Sequence, residues 1–201
     1  MKQHGDGYCD NRRGHLCPRW CVQAVSLVLL WLIHFVTEHL PAVEACSLLS
    51  LKAIYSRSKH SAHKLAKIAK STVDAYFDAP RTSGRSLKDL LDREDIDAVI
   101  IALPIPIQPE FIKKAIIAGK HVLSEKPIAK DVKTAVELLK WYEKNNDQGR
   151  LLWSVAENYR FMDQLNFGAE QIKKLNGTVV AFSLRLHGFI GPDDEYYQTK
   201  W

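Results

Sequence analysis

Residues 96–104 read IDAVIIALP, and every residue from Ala98 to Leu103 is apolar. A strand with one solvent-exposed face alternates apolar and polar residues, whereas a strand covered on both faces is apolar throughout. Helical periodicity and short apolar runs alternate on both sides of this stretch, from Leu51 to Gly188. Parallel strands need helical crossovers, so the sequence predicts an α/β fold with a Rossmann-like, doubly wound parallel sheet.

The predicted strands are short and separated by helical segments. They are Leu51–Tyr55, Ala98–Leu103, Val122–Ser124 and Leu152–Ala156, with a weaker strand in VDAYFD. A final run, TVVAFSLRLHG from Thr178 to Gly188, alternates apolar and polar residues and predicts a half-exposed strand. In a sheet of this kind, ligands bind beside the carboxyl ends of the strands.

Composition and charge narrow the class of protein. The chain has 201 residues, of which 46% are hydrophobic and 25% charged, an ordinary globular balance. Its net charge is +5, from 28 basic and 23 acidic residues, but the basic residues are scattered, so we expect no nucleic-acid partner. Three of its four cysteines precede residue 22 and none follows Cys46, which indicates a reducing compartment and a cytoplasmic protein. The cysteine spacing matches no zinc motif, and we expect no metal site.

The first 34 residues differ from the rest and are predicted to be an atypical segment outside the domain, disordered or poorly fitting. Within them begins an almost continuous apolar run, Val22–Val36, which follows three arginines. At about 15 residues the run is shorter than the ~20 that a membrane-spanning helix needs. It therefore predicts a buried element of the domain, with a signal peptide or membrane anchor as the alternative.

A combination of motifs resembles a known family. EKPIA at residues 125–129 follows AGKHVLS, and SVAENYRF at residues 154–161 follows later. Together they resemble the Gfo/Idh/MocA oxidoreductases, in particular a fungal and yeast branch. The resemblance implies an NAD(P)-binding Rossmann-like domain at residues 35–160 and the beginning of an α/β substrate domain at residues 161–201. It also implies an oxidoreductase with a small-molecule substrate, and the family has precedent for homo-oligomers.

The sequence departs from the family at the first turn. Family members place a glycine-rich turn after their first strand, but this chain has no glycine between Gly14 and Gly84. Because glycine lets the backbone approach a pyrophosphate closely, we expect weak cofactor binding and little or no dehydrogenase activity. A catalytically inactive nucleotide-binding or regulatory relative is therefore the alternative function.

Two turns are candidate cofactor contacts. Ser56 and Arg57 follow the predicted strand Leu51–Tyr55, where NAD enzymes have an acidic residue that binds the ribose. A guanidinium at this place suits the 2′-phosphate of NADP, so the sequence favours NADP, with NAD as the alternative. Leu103 and Pro104 end the central strand, and proline makes the chain leave the sheet at the edge of the cofactor cleft.

The resemblance assigns the chemistry to Lys126. A cation at the end of a strand can polarise a substrate hydroxyl or carbonyl while hydride passes to or from nicotinamide. By the same resemblance Glu125, Lys126 and Asn158 contact the cofactor, and Lys126, Asn158 and Arg160 contact the substrate, a sugar, a polyol or a similar compound. The histidines, His39 among them, form no metal-binding pair and are expected at the surface or as helix caps.

Overall fold

Six parallel strands form one sheet in the order β3-β2-β1-β4-β5-β6 in the computed structural model. The structure describes residues 25–31, 38–78, 84–146, 149–175, 177–185, 187–189 and 191–192. The strands are β1 (Val25–Trp31), β2 (Leu49–Ser56), β3 (Asp74–Phe77), β4 (Ala98–Ala102), β5 (His121–Ser124) and β6 (Trp153–Val155). The helices are α1 (His39–Ala45), α2 (Lys59–Ile68), α3 (Leu87–Leu91), α4 (Gln108–Ile117), α5 (Val132–Asn145) and α6 (Asp163–Lys174).

The strand β4 has the central position that its sequence predicts. It pairs with β1 on one side and β5 on the other, and all five of its residues are buried. The four predicted strands agree with β2, β4, β5 and β6 to within two residues at either end, and the weak strand corresponds to β3. The doubly wound parallel sheet is thus confirmed.

The first strand comes from the apolar run Val22–Val36, which the sequence predicts to be a buried element of the domain, although it begins in the segment before residue 35 that is placed outside the domain. β1 pairs with both β2 and β4, so it lies in the middle of the sheet. The expected domain boundary at residue 35 therefore falls after the first strand, and for residues 25–31 the expectation of a disordered or poorly fitting segment is wrong. A strand that is covered on both faces is apolar throughout, and the apolar sequence of residues 25–31 meets that requirement. The rest of Val22–Val36 lies outside the described residues.

Helices cover both faces of the sheet. On one face, Leu40 and Val43 of α1 and Leu65 of α2 pack against β2 and β4. On the other face, α3, α4 and α5 pack against the same strands and β5, with Ile112 fully buried in the contact. Side-chain caps fix three helix starts: Ser58 for α2, Ser86 for α3 and Asp131 for α5 each accept a backbone N–H.

The chain divides into two compact units between Glu157 and Asn158. The second unit contains a 3-10 helix, Asn158–Phe161, followed by α6. The described residues among 178–188 form no strand, so the strand predicted from Thr178 to Gly188 is wrong for that part of the chain. Apolar–polar alternation specifies a strand only where a neighbouring strand accepts its backbone hydrogen bonds, and no pairing is found there. Among the described residues, no helix combines the length and the apolar character that crossing a membrane requires.

Candidate active site

Three turns of the first unit lie at the same edge of the sheet. Ser56 ends β2, Leu103 and Pro104 follow β4, and Glu125 follows β5. Because all the strands are parallel, their carboxyl ends meet at one edge, which is where such sheets bind ligands. The candidate residues of the first unit therefore lie at one edge of the sheet, which is suited to a dinucleotide.

The Glu125 carboxylate is buried and bonded on both oxygens. Its Oε1 lies 2.8 Å from His39 Nε2, and its Oε2 accepts the Lys126 backbone N–H at 3.0 Å. Its own backbone N–H donates to the Ile101 carbonyl at 2.9 Å. Burial alone would raise the pKa of this carboxyl, but the hydrogen bonds from His39 and Lys126 outweigh it and hold the pKa below its ordinary value. The carboxylate is therefore ionised and fixed at neutral pH.

The Lys126 side chain is exposed, whereas the backbone on each side of it is hydrogen-bonded. We call residues Glu125–Pro127 the Lys126 turn. The Lys126–Pro127 peptide bond is cis, and the Pro127 carbonyl accepts a hydrogen bond from Gln108 Nε2 at 3.1 Å. An exposed ammonium on a fixed backbone is suited to meet a substrate oxygen without first reorganising the protein.

Sequence reasoning missed the two side chains that bond to this turn. His39 was expected at the surface or as a helix cap, but its side chain is only 15% exposed and pairs with Glu125, so that expectation is wrong. Gln108, 1% exposed, was not singled out at all. Their partners are 86 and 19 positions away in the chain, and no local pattern reports such distant pairs. The placement of both residues at helix starts behind strand ends is the one signal that could have suggested them.

The turn after β2 has a different character. Ser56 is buried, and Arg57 is exposed and makes no ion pair with any residue that the structure describes. Ser58, the next residue, is occupied as the cap of α2. A carboxylate lies nearby, since the Asp78 backbone N–H donates to the Arg57 carbonyl at 3.3 Å. The Asp78 carboxylate accepts a short hydrogen bond from the buried Tyr55 hydroxyl instead.

The turn after β2 contains a cation that is chemically suited to a phosphate group. An exposed guanidinium without a counter-ion among the described residues can bind a phosphate dianion, and the carboxylate of the neighbouring Asp78 is bonded to Tyr55. Burial and the Asp78 carboxylate both raise the pKa of the Tyr55 hydroxyl above its ordinary value, so the hydroxyl stays protonated and keeps donating. Residues 32–37, which connect β1 to α1, lie outside the described residues, and their sequence, LIHFVT, contains no glycine.

Asn158 and Arg160 belong to the second unit. Both lie in the 3-10 helix and both are exposed. The Arg160 guanidinium lies 5.5 Å from the centre of the Phe161 ring. Their contacts with cofactor and substrate stay predictions. Of the residues that the structure describes, no cluster of three His, Cys, Asp or Glu side chains could hold a metal ion.

Comparison with known proteins identifies the family of this chain. The Gfo/Idh/MocA family model, described as an oxidoreductase family with an NAD-binding Rossmann fold, matches residues 34–151. Dehydrogenase FPY6 of Fusarium mangiferae is 48% identical over 164 residues, which cover 82% of this chain and 46% of the relative. A dTDP-3,4-didehydro-2,6-dideoxy-alpha-D-glucose 3-reductase of Actinomadura kijaniata is 35% identical over 124 residues, covering 61% of this chain and 32% of that enzyme.

A solved structure has the same fold. KijD10, a 3-ketoreductase from Actinomadura kijaniata in complex with TDP-benzene and NADP, superimposes with a TM-score of 0.63 at 25% identity. The match covers 76% of this chain and 44% of that one. The chain thus spans about half the length of the relatives that it matches. The family match begins after β1, so this strand completes the sheet from outside the matched residues.

Proposed function

Because the chain belongs to the Gfo/Idh/MocA family of oxidoreductases with an NAD-binding Rossmann fold, we propose that it works as an NADP-dependent oxidoreductase. Its reaction moves a hydride between nicotinamide and a carbon of a sugar, a polyol or a similar carbonyl or hydroxyl compound. The observation that carries the proposal is the exposed Lys126 side chain on a hydrogen-bonded turn at the ligand-binding edge of the sheet.

The preference for NADP rests on Arg57. Its guanidinium is exposed and has no ion-pair partner among the described residues, so a 2′-phosphate gains charge-assisted hydrogen bonds without breaking an existing pair. NADH lacks this phosphate and gains nothing from the guanidinium. Since a hydrogen bond to a charged group contributes about 1.5–3 kcal/mol, the expected preference is at least ~10-fold.

Lys126 is the proposed catalytic residue. Its ammonium donates a hydrogen bond to the substrate oxygen and gives that oxygen a proton as the carbon accepts hydride on reduction. On oxidation the same transfer runs in reverse, and the hydroxyl proton passes to the Lys126 amine as hydride leaves. Nicotinamide, when bound, supplies or takes up the hydride. Glu125 holds the Lys126 backbone N–H, and Leu103 and Pro104 form the neighbouring edge of the site. Relatives named as reductases of a dTDP-linked keto sugar support a sugar-like substrate.

A second candidate function is nucleotide binding without catalysis. The absence of any glycine between Gly14 and Gly84 favours it, because glycine is the residue that lets a backbone approach a pyrophosphate closely. A protein of this kind binds NADPH through Arg57 but turns over no substrate. Binding and turnover must therefore be measured separately.

Binding is tested by titrating NADPH and NADH into the chain and into its Arg57→Ala variant, followed by nucleotide fluorescence. We expect NADPH to bind at least ~10-fold more tightly than NADH, and Arg57→Ala to remove that difference. Lys67→Ala is the matched control, since it deletes an equally exposed cation at the other end of α2. Equal affinities for the two nucleotides, or equal losses in both variants, would reject the cofactor assignment.

Turnover is tested with the same protein and a panel of keto sugars and polyols under single-turnover conditions, with protein in excess of nucleotide. Hydride transfer to any member of the panel supports the oxidoreductase over the non-catalytic candidate. NADPH binding without any transfer supports the non-catalytic candidate. An absence of both binding and transfer overturns both.

A further inference from the structure

Two helices from opposite faces of the sheet reach the same turn. α1 packs on the face of the sheet that contains Leu40 and Val43, and α4 packs on the other face through Phe111 and Ile112. The first residue of each helix, His39 and Gln108, nevertheless bonds to the Lys126 turn. The turn is thus attached to both layers of helices.

On the α1 side, the contact runs through a buried carboxylate. His39 Nε2 and Glu125 Oε1 are 2.8 Å apart, with only 15% and 11% of the two side chains exposed. The other oxygen of the same carboxylate accepts the Lys126 backbone N–H. His39 therefore acts on Lys126 through one intermediate group, and removal of the imidazole leaves Glu125 free to rotate away from that N–H.

On the α4 side, the contact places Gln108 Oε1 where it has no hydrogen-bond partner among the described residues. Gln108 is almost completely buried, and its Nε2 donates to the Pro127 carbonyl. A buried acceptor without a partner is unfavourable, and an apolar side chain of the same size would avoid it. Packing alone does not explain a glutamine at this position, whereas a bond to the turn does.

We propose that His39 and Gln108 are positioning residues for Lys126, which together fix the turn from opposite faces of the sheet. This positioning role rests on the proposed function in one respect: that function gives Lys126 its catalytic task. The two bonds hold the backbone on each side of Lys126, so its ammonium is presented in one place when a substrate oxygen arrives. Neither residue touches the reacting atoms.

The α1 side is tested with a loss variant and a conservative variant. His39→Leu removes the donor, and His39→Gln keeps a side-chain N–H at similar reach. Amide hydrogen exchange at Lys126, measured by NMR, is expected to become about tenfold faster in His39→Leu and to stay near its original rate in His39→Gln. Amides of β4, such as those of Val99 and Ile101, serve as the folding control and are expected to keep their rates.

A spectroscopic measurement distinguishes loss of the His39–Glu125 bond from a general increase in backbone motion. With His39 removed, burial of Glu125 is less compensated, so the pKa of its carboxyl should rise, and carboxyl carbon NMR of the labelled protein measures it. His39→Gln should retain most of the depression. A Glu125 pKa that is unchanged in His39→Leu, or equally raised in both variants, would overturn the role of His39.

The α4 side is tested with Gln108→Met, which keeps the volume and removes both polar atoms. We expect faster exchange at the Lys126 amide with unchanged exchange in β4. Unchanged exchange at Lys126 in this variant would remove Gln108 from the proposal.

These measurements need no nucleotide, so they separate failure of the positioning role from failure of NADPH binding. Slower single-turnover hydride transfer with unchanged NADPH affinity in His39→Leu then links the positioning to the chemistry, and an unchanged transfer rate would contradict that link.

Discussion

The turns after β5 and β2 lie at the same edge of one sheet but are built differently. The Lys126 turn is bonded to β4, α1 and α4, and both oxygens of its Glu125 carboxylate accept hydrogen bonds from within the protein. After β2, Arg57 projects a charge that no described residue pairs, and its acid neighbour Asp78 is bonded to Tyr55. The difference fits two tasks: a reacting group needs fixed geometry, while a phosphate-binding group must leave its charge available.

The largest expected effect comes from removing the amine of the fixed turn. Lys126→Ala should lower the single-turnover rate of hydride transfer by about 10²-fold or more, since general acid–base groups contribute 10²–10⁴-fold. NADPH affinity should fall far less than this rate, because the proposed contact with the 2′-phosphate lies at the other turn. Stopped-flow absorbance of NADPH measures the rate.

The matched control for this prediction is Lys130→Ala, which removes an exposed cation four positions further along the chain. An equal loss of rate in both variants would mean that net charge, rather than the position of Lys126, matters. In that case the contrast between the two turns would have no functional meaning.

The next effect concerns the turn after β2, which contains Arg57. Tyr55→Phe deletes the hydroxyl that holds Asp78, and we expect the free energy of unfolding to fall by about 1 kcal/mol. The released carboxylate should also approach Arg57 and lower the affinity for NADPH more than for NADH. Urea unfolding and nucleotide titration measure the two effects. If NADPH affinity does not change, Tyr55 has no part in keeping Arg57 available.

A smaller effect should appear in the pH dependence of stability. The folded-state pKa of Glu125 lies below its ordinary value, so its contribution is present above the unfolded pKa and is lost as the pH falls through the folded pKa. Glu125→Gln cannot ionise and lacks this contribution. Between pH 6 and acid conditions below the ordinary glutamate pKa of about 4.3, the variant should therefore lose less stability than the parent chain. Parallel losses in urea unfolding at both pH values would contradict this.

The smallest effect is expected where a hydrogen bond and an unpartnered acceptor nearly cancel. Gln108→Met loses the bond to Pro127 but also removes the buried Oε1 that has no partner among the described residues, so the two changes oppose each other. We expect the unfolding free energy to change by no more than about 1 kcal/mol in either direction. A loss of several kcal/mol in thermal or urea unfolding would assign Gln108 to stability instead of positioning.

The sequence predicted those parts of the molecule that a local pattern determines. The two-sided apolar run of β4 identifies a central strand, and the order of strands then places Ser56, Pro104 and Glu125 at one edge. The Lys126 turn follows from its resemblance to a family motif. Because these features depend on residues that are adjacent in the chain, they can be predicted from one sequence without knowledge of the fold.

The features that the sequence could not predict depend on distant partners. His39 looks like an isolated histidine until the fold brings Glu125 to it, and Gln108 looks like an ordinary residue at the start of a helix. The apolar run Val22–Val36 predicts a buried element of the domain, with a targeting segment as the alternative, because its apolar character alone does not decide between them. Only the pairing with β2 and β4 identifies β1.

The position of β1 also bears on how the chain is made. The ribosome completes this strand first, yet one of its two neighbours, β4, follows much later: the Ser26 backbone N–H bonds to Asp97 across 71 positions of the chain. Contacts so distant in sequence form slowly, since a long loop must close before they stabilise anything. Until β4 leaves the exit tunnel, the apolar VSLVLLW has β2 as its only available neighbour in the sheet. During synthesis this is the segment that we expect chaperones to protect.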